Sequence, residues 1–257
     1  MSVMSKILEA VTGVCLSSVW KGLTSGVVNF GRASAAASRS ASSIVTRDLA
    51  SIPSVLLEDI IGDRKLDICL PIDRQVDGAL PTHQAVILYA LLVAEQPKVV
   101  LEIGTYNGHT TRAMAANLPE AIIHTVDLPP DFAHEKDPVK DLQKDDFHLI
   151  AKRKVGSDFL GTPQASRIRQ HFADSAVFDF KQAEGATFFF IDGSHTYEYC
   201  KSDSEKAYEL CGGKGIFVWH DCNDDHPGVV KFVREWRQKG RDIVRINGTC
   251  VAYWKNL

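Results

Sequence analysis

The chain has 257 residues, of which 45% are hydrophobic, so it is long enough for one large domain with a substantial core and an additional segment. Its formal net charge is −3 and it has no dense stripe of lysine and arginine, which argues against binding to nucleic acid through phosphate neutralisation. The 6 cysteines include no Cys-x-x-Cys pair, which argues against a zinc finger or a redox dithiol and favours a reduced, cytoplasmic protein.

Residues 1–50 are predicted to form an N-terminal arm that is partly disordered or loosely helical, because small residues dominate its second half. Its most apolar stretch is interrupted by Glu9 and Lys21, so it predicts neither a membrane-spanning helix nor a signal peptide. Residues 1–47 contain five basic residues and one acidic residue, which leaves an organelle-targeting leader as the alternative.

Residues 51–81 predict a small helical cap followed by a loop, and residues 82–257 predict the main domain. This domain opens with a strong helix signal. The stretch from 82 to 95 is mostly apolar, Thr82 is a suitable N-cap, and Pro97 follows the end.

From residue 98 onwards, short apolar runs alternate with helical patterns. Strands are predicted at residues 98–103, 122–126, 166–172, 186–191 and 215–219, and helices at 110–118, 137–154, 197–210 and 228–238. Two further apolar runs flank Asn247-Gly248, the strongest short hairpin signal. The pattern predicts an α/β fold: an open Rossmann-like sheet of about seven strands with helices on both faces and an antiparallel last strand.

The connection between the second and third of these strands is unusually long, covering residues 128–165. Connections of this length inside a compact domain are usually functional, so we expect a lid here, with a mobile loop at residues 155–164.

Acidic residues mark the strand ends of this predicted sheet. Glu102, Asp127, Asp192 and Asp221 all lie at the end of a strand or in the turn that follows it. Because the carboxyl ends of parallel strands meet at one edge of a sheet, we expect these acids to lie close together at a binding site.

The turn after the first of these strands predicts the kind of ligand. It contains Glu102-x-Gly104-x-x-x-Gly108, whereas a nicotinamide-binding turn would contain G-x-G-x-x-G. An acid before the first glycine suits a ligand with a positive or hydrogen-bond-donating part. Asp127, at the next strand end, is placed to accept hydrogen bonds from two ribose hydroxyls. S-adenosylmethionine, a cationic adenosine derivative, satisfies both requirements.

Three sequence motifs extend this interpretation: VLEIGTYNGHTT followed by VD, then FFFIDGSHTYE, then GIFVWHD. In this order they resemble the motifs of class I S-adenosylmethionine-dependent methyltransferases. They are most similar to the small-molecule O-methyltransferases of the catechol and antibiotic-sugar type. The resemblance extends over roughly residues 77–254.

The resemblance implies a set of cofactor-binding residues. Some of these residues are expected to line the methionine and ribose portions, one to hold the ribose, and the last two to lie beside the adenine. In chain order they are Glu102, Gly104, Tyr106, Gly108, Asp127, Asp174 and Ser175.

The resemblance also implies a divalent metal, Mg²⁺ or similar. In metal-dependent members an acid after the fourth strand and an acid pair after the fifth bind the ion. Asp192 and Asp221 match this pattern, and His220 departs from it. The implied ligand set is therefore Asp192, His220 and Asp221, with the ion left open because imidazole prefers softer metals than Mg²⁺.

A hydroxyl acceptor must lose its proton, so a base or a metal is needed. His195 is the preferred general base because imidazole titrates near neutral pH, and His220 is the second candidate, as base or ligand. The alternatives are structural: Asp192 could cap a helix, and either histidine could be a satisfied polar residue. Residues 224–226 (Asp-Asp-His) are interpreted as a solvated loop.

The expected function is transfer of a methyl group to a hydroxyl of a small molecule, sugar-like or polyphenol-like. The expected partners are this acceptor and, as in many such enzymes, a second copy of the chain in a homodimer; nucleic acid and membrane are not expected. Two alternatives remain open: a metal-independent methyltransferase that uses a histidine base, and a non-catalytic scaffold that binds S-adenosylmethionine. The glycine spacing counts against an NAD-dependent oxidoreductase.

Overall fold

The computed structural model describes residues 48–70, 78–132 and 144–257. The predicted N-terminal arm up to residue 47, part of the loop before residue 78 and the start of the helix predicted at 137–154 lie outside these residues. No helix within the described ranges is long and apolar enough to cross a membrane.

An eight-stranded sheet forms the centre of the described part, in the order β1-β7-β8-β6-β5-β2-β3-β4. Its strands are β1 Ser54–Val55, β2 Val99–Ile103, β3 Ile122–Asp127, β4 Ile168–Phe172, β5 Phe188–Ile191, β6 Gly215–Trp219, β7 Val244–Ile246 and β8 Ala252–Asn256. Strands β2 to β6 pair in parallel, and β8 is antiparallel to both β6 and β7. The predicted fold class, with its antiparallel last strand and terminal hairpin, is confirmed.

Helices cover both faces of this sheet. They are α1 Leu57–Ile61, α2 Thr82–Glu95, α3 His109–Asn117, α4 Lys144–Lys152, α5 Tyr197–Leu210 and α6 Pro227–Gln238, with short 3₁₀ helices at Pro163–Arg167 and Phe180–Ala183. Alternate residues of one strand belong to different cores: Phe188 and Phe190 pack with α2 and α3, and Phe189 packs with α5 and α6. This alternation follows from the two-residue period of a strand.

The eighth strand, β1, was not predicted. It pairs in parallel with β7, where the N–H of Arg245 donates to the carbonyl of Pro53 (2.7 Å) and the N–H of Asn247 donates to that of Val55 (2.9 Å). A strand of two residues has no periodicity for a sequence pattern to detect. Part of the predicted cap segment is therefore an edge of the main sheet.

The start of α2 differs in detail from the prediction. Pro81 occupies the N-cap position and no side chain caps the helix, so the predicted cap by Thr82 is wrong. The physical reason is that Thr82 already has helical geometry, as the first residue of α2. The nine residues from Gln84 to Leu92 are all buried, which explains the apolar character of the segment on every side.

The segment predicted as a loop at residues 155–164 packs against the glycine turn after β2. The N–H of Gly156 donates to the carbonyl of Tyr106 (3.0 Å), and the N–H of Asp158 donates to that of Asn107 (2.8 Å). The Phe159 side chain is buried. This segment therefore supports the glycine turn from outside.

Candidate active site

A cavity of about 360 Å³ lies at the carboxyl ends of the parallel strands. Residues at or just after the ends of five strands line it, among them Gly104, Asp127, Asp174, Asp192 and Asp221. The strand-end acids predicted to gather at one edge are thus brought together, with Glu102 as the exception.

The glycine turn forms the middle of the cavity wall. Gly104 has φ +98°, and a Cβ atom on it would lie 2.0 Å from the carbonyl oxygen of Asp192. Only glycine lets the end of β2 approach the end of β5 this closely. Tyr106 and Gly108 also line the cavity.

Glu102 lies beneath this turn and does not line the cavity. Its side chain is fully buried, and Oε2 accepts hydrogen bonds from the hydroxyls of Thr111 (2.5 Å) and Thr125 (2.6 Å). Burial raises the pKa of Glu102 to about 8, although the two hydroxyl donors oppose the shift. Glu102 therefore does not make the direct contact with the ligand that we expected.

Asp127 faces the cavity from the end of β3. Its Oδ2 accepts the N–H of Tyr106 (2.7 Å), and its Oδ1 lies 3.3 Å from Nε of Arg153. Burial raises the pKa of Asp127, against the opposing effects of Arg153 and of backbone donors. Sequence reasoning missed Arg153, which follows α4 and donates to the carbonyls of Leu128 and Pro129.

Asp174 and Ser175 line the same cavity beyond Asp127, after β4. The hydroxyl of Tyr199, on α5, donates to Oδ2 of Asp174 (3.1 Å). Asp203 lies one turn further along α5 and is buried; its Oδ1 has no hydrogen-bond partner among the described residues. Asp174 and Ser175, which were predicted to lie beside an adenine, are therefore at one end of the cavity.

The opposite end contains Asp192, His220 and Asp221. Nδ1 of His220 lies 2.9 Å from Oδ1 of Asp192 and 2.9 Å from Oδ2 of Asp221. Nε2 of His220 lies 2.7 Å from Oε1 of Gln84. Burial disfavours the charged imidazole, but the two carboxylates outweigh it and hold the pKa of His220 well above its usual range.

His195 joins the same end of the cavity between two carboxylates. Its Nδ1 lies 2.8 Å from Oδ1 of Asp146, and its Nε2 lies 2.8 Å from Oδ2 of Asp221. Burial opposes the charged form, yet the hydrogen bonds to these carboxylates raise the pKa of His195 to about 10. In this arrangement His195 holds its proton at neutral pH.

Two further residues complete this end, and the sequence reasoning assigned neither to it. His226 lines the cavity with its ring centroid 4.1 Å from that of His195, and its Nδ1 lies 3.5 Å from Oδ1 of Asp221. The interpretation as a solvated loop holds for the exposed Asp224 and Asp225 and is wrong for His226, because that residue is the N-cap of α6 and lines the cavity.

Cys250 is the second unassigned residue and lies beneath the cavity. Its Sγ is 2.9 Å from Oε1 of Gln84 and 3.3 Å from Nε2 of His220. Gln84 and Cys250 come from α2 and from the turn between β7 and β8, so no local motif could have linked them to His220.

The donor atoms at this end fit a divalent ion. Two triads within the described ranges have ligand atoms that all lie within 4.8 Å of one another: His195, Asp221 and His226, and His220, Asp221 and Cys250. Both share Asp221, and neither includes Asp192. Imidazole, carboxylate and thiolate donors suit borderline ions better than Mg²⁺.

Comparisons with known proteins give one family-model match and several similar solved structures. Residues 101–222 match the family model described as a methyltransferase domain. No curated protein sequence matches the chain significantly.

Similar solved structures include an O-methyltransferase from Streptomyces achromogenes in complex with SAM, with 16% identity, full coverage of both chains and a TM-score of 0.49. A SAH-bound methyltransferase from Podospora anserina has 16% identity and a TM-score of 0.48, and covers 88% of this chain and 100% of its own. An O-methyltransferase from Bacillus cereus with SAH has 12% identity, coverage of 93% and 96%, and a TM-score of 0.44. These values are too low to transfer a substrate or a residue's role to this chain.

Proposed function

Residues 101–222 match the model of a methyltransferase domain, and from this premise we propose that the protein transfers the methyl group of S-adenosylmethionine to a hydroxyl of a small molecule. The identity predicted from the motifs, a class I methyltransferase, is confirmed by the family match together with the parallel sheet and its antiparallel last strand. The hydroxyl acceptor, its sugar-like or polyphenol-like character, the homodimer and the cytoplasmic location are parts of the proposal.

The observation that carries this proposal is one continuous cavity with chemically different ends. Asp174, Ser175 and Asp127 line one end, and Asp192, His195 and Asp221 line the other. A nucleoside fits the first end, where Asp127 offers a carboxylate to ribose hydroxyls. The glycine turn lies between the ends, so the methionine portion of the cofactor would direct its methyl group towards the second end.

Methyl transfer breaks the sulfur–methyl bond and forms an oxygen–methyl bond, and the acceptor hydroxyl gives up a proton. The protein's first task is to align the acceptor with the sulfonium, which can contribute roughly 7–11 kcal/mol in favourable cases. We assign this alignment to the carboxylates of Asp192 and Asp221, which can accept hydrogen bonds from acceptor hydroxyls.

The second task is to remove the proton, and here the electrostatics decide which residues can act. His195 and His220 both keep their protons at neutral pH, because carboxylates raise the pKa of each. The general-base role proposed for either histidine therefore requires that something first withdraws a proton from its ring. A divalent ion bound at Asp221 would do this for an imidazole ligand and would lower the pKa of a bound acceptor hydroxyl.

The ligand set proposed from the sequence, Asp192, His220 and Asp221, places three donors at this end. The metal-independent alternative is favoured by one observation: the imidazole of His220 already lies between the two carboxylates and supplies a positive charge there. The metal-dependent and metal-independent routes are separated by measuring the formation of S-adenosylhomocysteine with a panel of catechols and sugars as acceptors, with and without EDTA. Loss of activity in EDTA that Mn²⁺ restores would support the metal route, and indifference to EDTA would exclude it.

The proposed function itself is tested with Asp192→Asn. We expect cofactor affinity by calorimetry to stay within about twofold, while turnover falls by roughly 10²-fold or more because the acceptor loses its alignment. Asp224→Asn, an exposed acid on the following loop, is the matched control and should keep wild-type turnover. Wild-type turnover in Asp192→Asn would remove it from the site, and wild-type protein that does not bind S-adenosylmethionine would overturn the proposal.

A further inference from the structure

We propose that His195, Asp221 and His226 form a binding site for a borderline divalent cation such as Mn²⁺, Co²⁺ or Zn²⁺, and that Asp146 orients His195 within it. The use of this ion in catalysis rests on the proposed function, but its binding does not. The site differs from the set implied by the motifs, because it contains two histidines that line the cavity and excludes Asp192 and His220.

The three donors converge from different parts of the chain. His195 follows β5, Asp221 follows β6, and His226 directly precedes α6. Their ligand atoms all lie within 4.8 Å of one another. Oxygen atoms of Asp221 lie 2.8 Å from Nε2 of His195 and 3.5 Å from Nδ1 of His226. These separations are those of neighbouring ligands around one ion, whose bonds are about 2.0–2.2 Å long.

Asp146 gives His195 the support that metal-binding histidines commonly have. Its Oδ1 accepts from Nδ1 of His195 at 2.8 Å, which directs the other ring nitrogen, Nε2, towards Asp221. A carboxylate behind a ligating histidine fixes the tautomer and the ring orientation. The Asp146 side chain is buried and comes from α4, 49 residues before His195, so no local pattern connects the two residues.

The backbone at Asp221 is also held in an unusual state. Its φ of +56° is in the left-handed region, which non-glycine residues rarely adopt. Two hydrogen bonds of the residues that follow accompany it: the N–H of Cys222 donates to the carbonyl of Cys250, and the N–H of Asn223 donates to that of Asp221. Such conformations are retained where the aim of a side chain matters.

His220 is less suited to this ion, because each of its nitrogens contacts a group outside the proposed ligand set. Nδ1 lies between Asp192 and Asp221, and Nε2 contacts Gln84 and Cys250 beneath the cavity. All three histidines line the cavity, but Nε2 of His195 contacts Asp221, a ligand of the proposed site. Two imidazoles and one carboxylate leave coordination positions open for a substrate and favour Mn²⁺, Fe²⁺, Co²⁺ or Zn²⁺ over Mg²⁺.

The test measures metal binding directly on the full chain, after treatment with chelator and without cofactor or acceptor. Co²⁺ is titrated while its visible absorption is recorded, and Zn²⁺ is titrated by calorimetry. We expect one equivalent to bind. His226→Ala should lower the affinity at least about tenfold, and Asp146→Asn should lower it about 10–100-fold. Thermal melting confirms that each variant is folded.

Asp192→Asn and His220→Ala are the matched comparison. Unchanged Co²⁺ affinity in Asp192→Asn, with loss in His226→Ala, supports the site. If Asp192→Asn lost Co²⁺ binding while folded His226→Ala kept the wild-type affinity, the ion would belong to the set Asp192, His220 and Asp221, and the inference would be overturned. Wild-type protein that binds no Co²⁺ or Zn²⁺ would overturn it as well. Calorimetry with S-adenosylmethionine on the same samples reports separately on the proposed function.

Discussion

Asp127 is the residue on which the cofactor assignment depends most. It lines the cavity and is positioned by the N–H of Tyr106. We expect Asp127→Ala to weaken S-adenosylmethionine binding by about 1–2 kcal/mol, the contribution of a charge-assisted hydrogen bond. Calorimetry checks this, with the exposed Asp131→Ala as a control that should bind like the wild type. Equal affinity of the two variants would place the ribose elsewhere.

Asp203 gives a prediction about stability and pH. Burial raises its pKa to about 7, although its contact with Ser175 opposes the shift. In the unfolded chain an aspartate has a pKa of about 3.9, so the folded state holds the proton more tightly. This contribution to stability is full below about pH 4 and is lost as the pH rises through about 7.

The corresponding variant is Asp203→Asn, which cannot ionise. Relative to this variant, we expect the melting temperature of the wild type to fall between about pH 4 and pH 7, because in this range the unfolded chain ionises at Asp203 while the folded protein still holds the proton. Thermal melting across this range is the measurement, and Asp179→Asn, on the exposed surface, should follow the wild-type curve. Parallel curves for wild type and Asp203→Asn would show that Asp203 is not protonated in the folded protein.

At the level of single residues, the sequence predicts those that follow strands and misses those brought in from elsewhere. Asp127, Asp192 and Asp221 are predictable because parallel strands place their carboxyl ends at one edge. Asp146 and Arg153 contact the site from α4 and the residue just after it, and their partners lie 49 and 26 positions away in the sequence. Such contacts depend on how a connection folds back, which local patterns do not encode.

Among the elements, the glycine turn makes the strictest demand on sequence. Alanine at Gly104 would place its Cβ 2.0 Å from a backbone oxygen of Asp192, whereas alanine at Gly240, with a similar positive φ, would meet nothing within 4 Å. We expect Gly240→Ala to cost about 1–2 kcal/mol from backbone strain alone. Gly104→Ala should cost a further ~1–3 kcal/mol from the clash and should abolish detectable cofactor binding.

Urea unfolding and calorimetry of both variants check this prediction. The pair separates the cost of a left-handed conformation from the cost of close approach between β2 and β5. If Gly104→Ala were no less stable than Gly240→Ala and kept its affinity for S-adenosylmethionine, the close approach would not be needed for the site.

The regular elements are predictable to different degrees for physical reasons. The bounds of α5 and β6 agree with the sequence patterns, because each is a clear periodic run between turn residues. Strand β1 was missed, because its two residues are held by pairing with β7 rather than by their own propensity. The same applies to the turns around Phe159, which are fixed by contacts with the glycine turn.

For the whole molecule, the sheet separates two cores and places the candidate site at one edge of both. The core under α5 and α6 contains a cluster of aromatic rings around Trp236, which does not line the cavity. Stability and site chemistry should therefore respond to different substitutions. This separation makes the fold predictable from alternating strands and helices, while the chemistry depends on a few side chains at the strand ends.

Trp236→Ala tests this separation. The Trp236 side chain is buried, its ring centroid lies 5.6 Å from that of Phe217 and 5.8 Å from that of Trp219, and the guanidinium of Arg241 lies 4.3 Å from its ring. Removing this ring from a packed core should lower the free energy of unfolding by about 3–5 kcal/mol. The affinity of the folded protein for S-adenosylmethionine should remain near the wild-type value at low temperature.

Urea unfolding and calorimetry at low temperature check both parts of this prediction. Leu160→Ala is the control, because that side chain is 68% exposed and its loss should change stability by less than about 0.5 kcal/mol. An unfolding midpoint for Trp236→Ala equal to that of Leu160→Ala would show that the aromatic cluster does not stabilise the fold. If folded Trp236→Ala protein lost affinity for the cofactor, the cavity would be coupled to the core beneath α5 and α6.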